Sequence, residues 1–392
     1  MSKTINLGPL KLSWTTLLAS LFFLTTSVRA MLVSVIPLQA LELLGSASGV
    51  SLMYFGVAAV GIAATISIPR FVSRHGAHRV FVFGAIAGTI SPMFLWFVSI
   101  PTLFIGMLLQ VTAIACLEVS TSLYVMQGVP RKQLSHFEPI RLVFSGSAFI
   151  VGPWAGVYLE TQIAHWVPFA LTSALSTTAY VYWRYLSLHK MPMKSDSGKP
   201  KSPGHFLMRY IKQPRLRLAW VLAFSRNGWW GVFFVYAPIY AVTVGLSEVT
   251  AGAIVSIGVA SILIVPFWGW VGRRYGLRPL LVYGFIAMGI ATPLVILAKG
   301  SPLLTAALLI FSGFIAVIAD GSGHVCFYRA VRSFERSEMT SVYLTYRDVS
   351  QLIPPGVFSV LLIFFPLTSV YLVTSSWMFV IAYFARYLPR RM

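Results

Sequence analysis

Six ionisable residues stand inside long apolar stretches of this sequence: Arg29, Glu118, Arg226, Asp320 and the adjacent pair Arg347–Asp348. A charged side chain at the bilayer centre costs about 2.5–3.5 kcal/mol on insertion scales, so it persists where it is paired or used. A carboxyl group in such a place can exchange a proton. Desolvation favours the neutral acid and a nearby guanidinium favours the carboxylate, so small movements switch its occupancy. Glu118 and Asp320 are the candidates for that exchange, with Arg29 and Arg226 as basic partners. The same four residues could instead form two permanent ion pairs that tie helices together. Asp320 and His324 are one helical turn apart on one face, which suits a proton relay, a plain polar contact or two metal ligands. No further His, Cys or acid stands at ligand spacing, so neither a metal nor another cofactor is expected. The two cysteines, Cys116 and Cys326, lie in apolar stretches and read as packing residues. An enzyme would have to draw on Asp320, Ser322 and His324, the only close set, and Ser322 faces away from the other two.

A second group of residues could bind a substrate. In RNGWWGVFFVYAPIY, residues 226–240, Arg226, Trp230, Phe233 and Phe234 share one helical face, with Asn227 beside it. Aromatic rings beside a cation suit a flat or amphipathic organic compound. Lipid-facing and interfacial aromatics explain them equally, in a chain that is 14% aromatic. Gln110, Ile114, Glu118 and Ser122 recur at i, i+4 spacing and line one face, which puts Gln110 with Glu118. Arg141 lies nearer a membrane edge, where it pairs locally with Glu138 in HFEPIR or contributes to a gate. Arg347–Asp348, about two turns from the same edge, reads as structural or gating.

These residues must be held by membrane-spanning helices. The chain has 392 residues, 57% of them hydrophobic and 10% charged, with mean hydropathy +0.79. A soluble domain cannot hide that much apolar surface. A span needs about 20 mostly apolar residues. Twelve candidates follow: 14–40, 47–69, 80–98, 102–127, 140–160, 164–186, 216–243, 248–271, 280–298, 302–328, 340–364 and 368–388. The first run is longer than a signal core and carries Arg29, so it is expected to stay as a helix. The formal net charge of +20 comes as short clusters between apolar runs, a pattern of topology and not of nucleic-acid binding. Lys3, Lys11, Arg70, Arg79, Arg131, Lys132, Arg278, Arg329, Arg332, Arg336 and the terminal Arg390–Arg391 fall on alternate loops and both ends, while the opposite loops carry Lys299, Glu42, Glu160 and Glu248. By the positive-inside rule both termini are cytoplasmic. The polar stretch 187–215 separates six helices from six, giving an N-terminal bundle 1–186 and a C-terminal bundle 216–392. Its basic residues reflect positive-inside bias or hold it against anionic lipid.

The sequence also repeats. SRHGAHRVFVFG at 73–84 and RRYGLRPLLVYG at 273–284 share Arg74/Arg274, Gly76/Gly276, Val82/Val282 and Gly84/Gly284. Gln110-Ile114-Glu118-Ser122 falls on Ser312-Ala316-Asp320-His324 at nearly the same offset, so each half carries an acid at one depth.

With twelve helices, a central loop and this paired basic turn, the chain resembles the major facilitator superfamily over its whole length. The turn is similar to that family's loop signature, although Ser73 and Arg273 stand where the family has Asp and Pro69 replaces the leading glycine. The resemblance implies an all-α membrane fold of two six-helix pseudo-repeats. It also implies alternating access to a site between them, lined by the first and fourth helices of each half, which here carry Arg29, Glu118, Arg226 and Asp320. Arg74, Gly76, Arg274 and Gly276 then belong to the moving cytoplasmic hinges. In SGSAFIVGPWAGVYL, residues 145–159, Gly152-Pro153-x-x-Gly156 resembles a motif of the family's proton-coupled exporters, although the fourth helix lacks the arginine those exporters carry. The expectation is a monomeric inner-membrane carrier that exchanges protons for a small organic compound, most simply outward. Uptake is the alternative, and a receptor or membrane enzyme is the competing class.

Overall fold

The computed structural model describes residues 4–7, 10–129, 134–190, 203–298, 301–332 and 336–389. Lys3, Arg131, Lys132, Lys299, Arg390, Arg391 and the linker stretch 191–202 lie outside the described residues, as do the side chains of Pro69, Arg70, Ser73, Glu138 and Arg336.

A short antiparallel hairpin, Thr4–Leu7 with Leu10–Ser13, precedes helices throughout. In chain order these are α1 (Trp14–Ala30), α2 (Val35–Leu44), α3 (Ala47–Trp96), α4 (Ile100–Gly128), α5 (Leu134–Tyr158), α6 (Val167–Tyr185), α7 (Pro203–Ile211) and α8 (Pro214–Thr243). There follow α9 (Glu248–Ala260), α10 (Val265–Tyr275), α11 (Leu277–Leu294), α12 (Pro302–Asp320), α13 (Val325–Ala330), α14 (Arg336–Leu344), α15 (Tyr346–Phe364) and α16 (Thr368–Ala385). Among the described residues, nine helical stretches are long and apolar enough to cross a membrane.

Several single runs expected from the sequence are two pieces. The stretch 14–40 breaks at Met31–Ser34, and 302–328 breaks at Gly321–His324. The stretch 248–271 passes through a 3-10 turn, Ser261–Ile264, between α9 and α10. α7 forms inside the stretch read as linker. Both basic turns are narrower than expected. Helix runs up to Gly76 and resumes after it, with φ 80 and ψ 154 at that one residue; Gly276 joins α10 to α11 with φ 100 and ψ 151. Only glycine adopts such a conformation without strain. The two glycines that match in sequence therefore also match in backbone shape.

The chain divides into two compact units, 1–43 with 59–197, and 44–58 with 198–392. The core of the first gathers Leu17, Phe81, Tyr124, Phe137 and Trp183 from α1, α3, α4, α5 and α6. Lipid tails are as apolar as these side chains, so contact area alone does not hold such helices together. Close backbone approach and buried hydrogen bonds do. In the first unit a Cβ at Gly84 would lie 2.8 Å from Cys116 Cβ, and Ser176 Oγ donates to Ala85 O at 3.0 Å. In the second, a Cβ at Gly313 would lie 3.0 Å from Gly258 Cα, and Trp229 Nε1 donates to Thr292 Oγ1 at 2.9 Å. The segment 44–58 joins that unit through Ser51 Oγ and Tyr236 Oη, 2.7 Å apart, and through Ser48 Oγ, which donates to Ser359 O at 2.8 Å.

Candidate functional site

The second unit holds a compact charged cluster. Arg226 Nε lies 3.1 Å from Asp320 Oδ1, with the two side chains 11% and 22% exposed. Trp230 Nε1, one turn along α8, donates to Asp320 Oδ2 at 2.8 Å. α8 presents Arg226 and Trp230 together because they are four residues apart on one face. Asp320 meets them because it is the last residue of α12. After it the chain turns: Gly323 N donates to Asp320 O at 2.9 Å, and Gly323 has φ 50. The turn leaves the Gly323 carbonyl outside any helix, and Arg226 Nη1 donates to it at 2.9 Å, with Ser322 Oγ at 3.4 Å. The guanidinium thus bridges a carboxylate at the end of α12 and a carbonyl in the turn beyond it.

This break corrects two expectations. His324 does not continue the face of Asp320; it starts the next short helix, with its Nδ1 3.1 Å from Tyr343 Oη. Ser322 does not point away from the charged pair but toward Arg226. Glycines at 321 and 323, flanking a serine, were the available signal for a break.

Of the aromatic face on α8, Trp230 stands edge-on to Phe233, with centroids 5.7 Å apart. Phe233 itself is 3% exposed, stacked on Trp229 and pressed against Gly258. Asn227 Nδ2 donates to Ser350 Oγ at 2.6 Å, which ties α8 to α15. Arg347 and Asp348 begin α15 next to Tyr346.

In the first unit, α1, α4 and α5 line a partly open cavity of about 170 Å³. Phe22, Thr25, Thr26 and Arg29 line it from α1; Ile114, Leu117, Glu118 and Thr121 from α4; Arg141, Ser145 and Phe149 from α5. Each set follows i, i+3/i+4 spacing, so each is one stripe of one helix. Glu118 is exposed, whereas Arg29 and Arg141 are half-buried. The Arg29 guanidinium carbon is 5.8 Å from the Phe149 ring centroid, and that of Arg141 is 5.2 Å from Phe22. A larger groove of about 350 Å³ between α3 and α6 has only Thr89, Thr177 and Tyr180 as polar lining, and its Ile86 and Ile90 are exposed, as on a lipid-facing surface.

Gln110 lies apart from this cavity. It is 4% exposed; its Oε1 accepts from Ser91 Oγ at 2.9 Å and its Nε2 donates to Val28 O at 2.9 Å. Its place is in the join between α1, α3 and α4. The motif Gly152-Pro153-x-x-Gly156 packs on the break that ends α1. A Cβ at Gly152 would stand 2.7 Å from the Ala30 carbonyl carbon, and one at Gly156 would run into the Met31 carbonyl oxygen. On the outer ends, Arg74 is exposed and the Arg274 guanidinium lies 5.8 Å from the Trp270 ring. Among the described residues, no three His, Cys, Asp or Glu side chains gather to hold a metal.

Comparison with known proteins adds the family. No curated protein sequence matches this chain. Among solved structures, the nucleoside transporter NupG is similar, with 16% identity, 94% of this chain and 97% of that one covered, and TM-score 0.75. A POT family transporter in complex with 5-aminolevulinic acid reaches TM-score 0.77 at 14% identity, covering 94% of both chains. The D-xylose-proton symporter reaches 0.70 at 15%, covering 96% of this chain and 97% of that one. At such identities the likeness is one of fold. The sequence profile of the Major Facilitator Superfamily matches residues 18–355. With that match over most of its length, on a helical fold shared with transporters, the chain belongs to the major facilitator superfamily and is a multi-pass membrane transporter in fold, not an enzyme.

Proposed function

We propose that this chain is a proton-coupled secondary transporter of the inner membrane that moves a small organic compound, outward, by alternating access. Both termini are cytoplasmic in this reading, and the chain acts as a monomer of two six-helix pseudo-repeats. The matching conformations of Gly76 and Gly276 support the repeat. The packing of Gly152 and Gly156 against the break in α1 supports a mechanical role for the exporter-like motif.

One observation carries the coupling: the Arg226–Asp320 pair with its Trp230 hydrogen bond, set where α12 ends inside an apolar run. Asp320 is the proton-carrying group. As a carboxylate it holds Arg226 at one end of the bridge. Once protonated it loses the ion pair, and the guanidinium keeps only the turn, through Gly323 O and Ser322 Oγ. The turn between α12 and α13 then takes up the change. Glu118, with Arg29, belongs to the wall that meets the transported compound.

Proteoliposomes carrying the full chain test this with an imposed pH gradient and a panel of small organic compounds. The gradient is expected to drive at least one compound against its own gradient, in the direction opposite to proton flow. Asp320→Asn is expected to abolish that drive. Full gradient-driven transport in Asp320→Asn would overturn the reading.

A further inference from the structure

α10 carries an exposed stripe on the side turned away from α11 and α12. Its inner side is close-packed: a Cβ at Gly321 would lie 2.5 Å from Trp268 Cβ, and one at Gly272 would lie 2.9 Å from Leu280 Cδ2. Phe267, Trp270 and Arg274 recur at i, i+3 and i+7, so they share the opposite face. Phe267 and Trp270 are 52% and 46% exposed, and their rings stack with centroids 6.0 Å apart. The guanidinium carbon of the exposed Arg274 lies 5.8 Å from the Trp270 ring centroid and 5.9 Å from that of Tyr275. Those two rings are its partners, and neither Arg274 nor its neighbours Arg273 and Arg278 pairs with a carboxylate among the described residues. The turn that holds them joins two stretches long and apolar enough to cross a membrane, Glu248–Tyr275 and Leu277–Ala298, so Arg274 stands at a membrane edge. From there to Phe267 the helix runs about 10 Å into the apolar layer. The matching turn of the first unit lacks this arrangement. Arg74 corresponds to Arg274, but Ser67 and Arg70 stand where Phe267 and Trp270 do, and no ring lies under Arg74 among the described residues.

We propose that this stripe docks one anionic phospholipid, its phosphate at Arg274 and an acyl chain along Trp270 and Phe267. The guanidinium is held over its rings before the lipid arrives, and its planar fork matches phosphate oxygens. A soluble anion would meet the cation and leave the two rings uncovered. An uncharged lipid would cover the rings and leave the cation unmet. A zwitterionic headgroup brings a cation of its own, and the three arginines have no carboxylate beside them to receive it. The site lies outside both the Arg226–Asp320 bridge and the cavity of the first unit, so it stands or falls apart from the transport reading.

The test is native mass spectrometry of the purified full-length protein in detergent, with equimolar dioleoyl phosphatidylglycerol and dioleoyl phosphatidylcholine. The first lipid retained is the readout. Phosphatidylglycerol is expected at least about fivefold over phosphatidylcholine. Arg274→Gln is expected to lower its retention by about fivefold, and Trp270→Leu by about threefold. Arg74→Gln controls for attraction by net charge and is expected to change retention by less than about twofold. Glycerol 3-phosphate, a headgroup without chains, is expected not to compete at equal concentration. Equal retention of the two lipids overturns the proposal, and that ranking does not depend on whether a variant folds. Equal losses in Arg274→Gln and Arg74→Gln, full retention in Trp270→Leu, or displacement by glycerol 3-phosphate overturn it as well. None of these outcomes bears on proton coupling at Asp320, which the pH-gradient transport experiment judges.

Discussion

Each unit sets an acid and a base on two of its helices, and the two units assemble them in opposite ways. In the first unit the base-bearing helix breaks, just beyond Arg29, while α4 runs unbroken past Glu118. In the second the base-bearing helix α8 runs unbroken past Arg226, and the acid-bearing helix ends at Asp320. The first break is filled from outside by α5, whose Gly152 and Gly156 press on Ala30 and Met31. The second is filled from within by the Arg226 side chain, which reaches the Gly323 carbonyl. One unit sets its charges along a cavity wall, and the other locks them into a bridge. Recognition suits the first arrangement and a two-state switch suits the second.

The largest effect expected from breaking this contrast is at Gly156. Gly156→Val places a branched side chain where the Met31 carbonyl stands. Backbone cannot yield as a flexible side chain does, so a loss of about 3 kcal/mol or more is expected. A collapse of the thermal midpoint in detergent, or failure to recover folded protein, is the readout. An unchanged midpoint would show that the α1–α5 contact is not tight.

Next comes Arg226→Gln. Removing one partner of a buried pair costs about 3–5 kcal/mol, and the 22% exposure of Asp320 puts this case near the lower end. Combining it with Asp320→Asn should recover part of the loss. Glu118→Gln, at an exposed acid, should move stability by no more than about 1 kcal/mol. Equal losses at the two acids would erase the distinction between bridge and cavity.

Gln110→Leu should cost about 1–3 kcal/mol, by leaving Val28 O without its side-chain donor, while Ser91 Oγ keeps Gly106 O. If Gln110 contacted the transported compound instead, the variant would lose binding while keeping its midpoint. Most nearly equal are Gly76→Ala and Gly276→Ala. Both backbones strain a Cβ by about 1–3 kcal/mol, and no atom comes closer than 3.5 Å to either added carbon. Unequal costs would show that the two turns are not the same device.

Much of this was visible in the residues. The repeat turn announced Gly76 and Gly276, since a glycine kept at one register in two copies asks for a backbone only glycine adopts. The intramembrane charges announced Arg226 and Asp320, because the cost of burial leaves few reasons to keep them. The stripes at 22, 25, 26 and 29, at 114, 117, 118 and 121, and at 141, 145 and 149 held the cavity wall in plain helical spacing. What assembles them was not visible. Met31-Leu32-Val33-Ser34 contains neither glycine nor proline, so the break in α1 has no local cause; it is met by glycines on another helix more than a hundred residues away. The same holds for Gln110, a plausible cavity residue by its face, which is taken up by a carbonyl that only the folded chain brings near. His324 failed for a local reason: helical spacing was carried across Gly321 and Gly323, where the helix stops.

The central claim is a division of labour, with proton coupling in the Arg226–Asp320 bridge and compound recognition in the wall of Arg29, Glu118 and Arg141. The direct measurement compares two assays on the same proteoliposomes, using a compound the wild type transports: exchange across the membrane without a pH gradient, and accumulation driven by one. Asp320→Asn is predicted to keep exchange and lose driven accumulation, and Arg141→Gln is predicted to lose both. Driven accumulation that survives in Asp320→Asn, or full exchange in Arg141→Gln, would contradict the division.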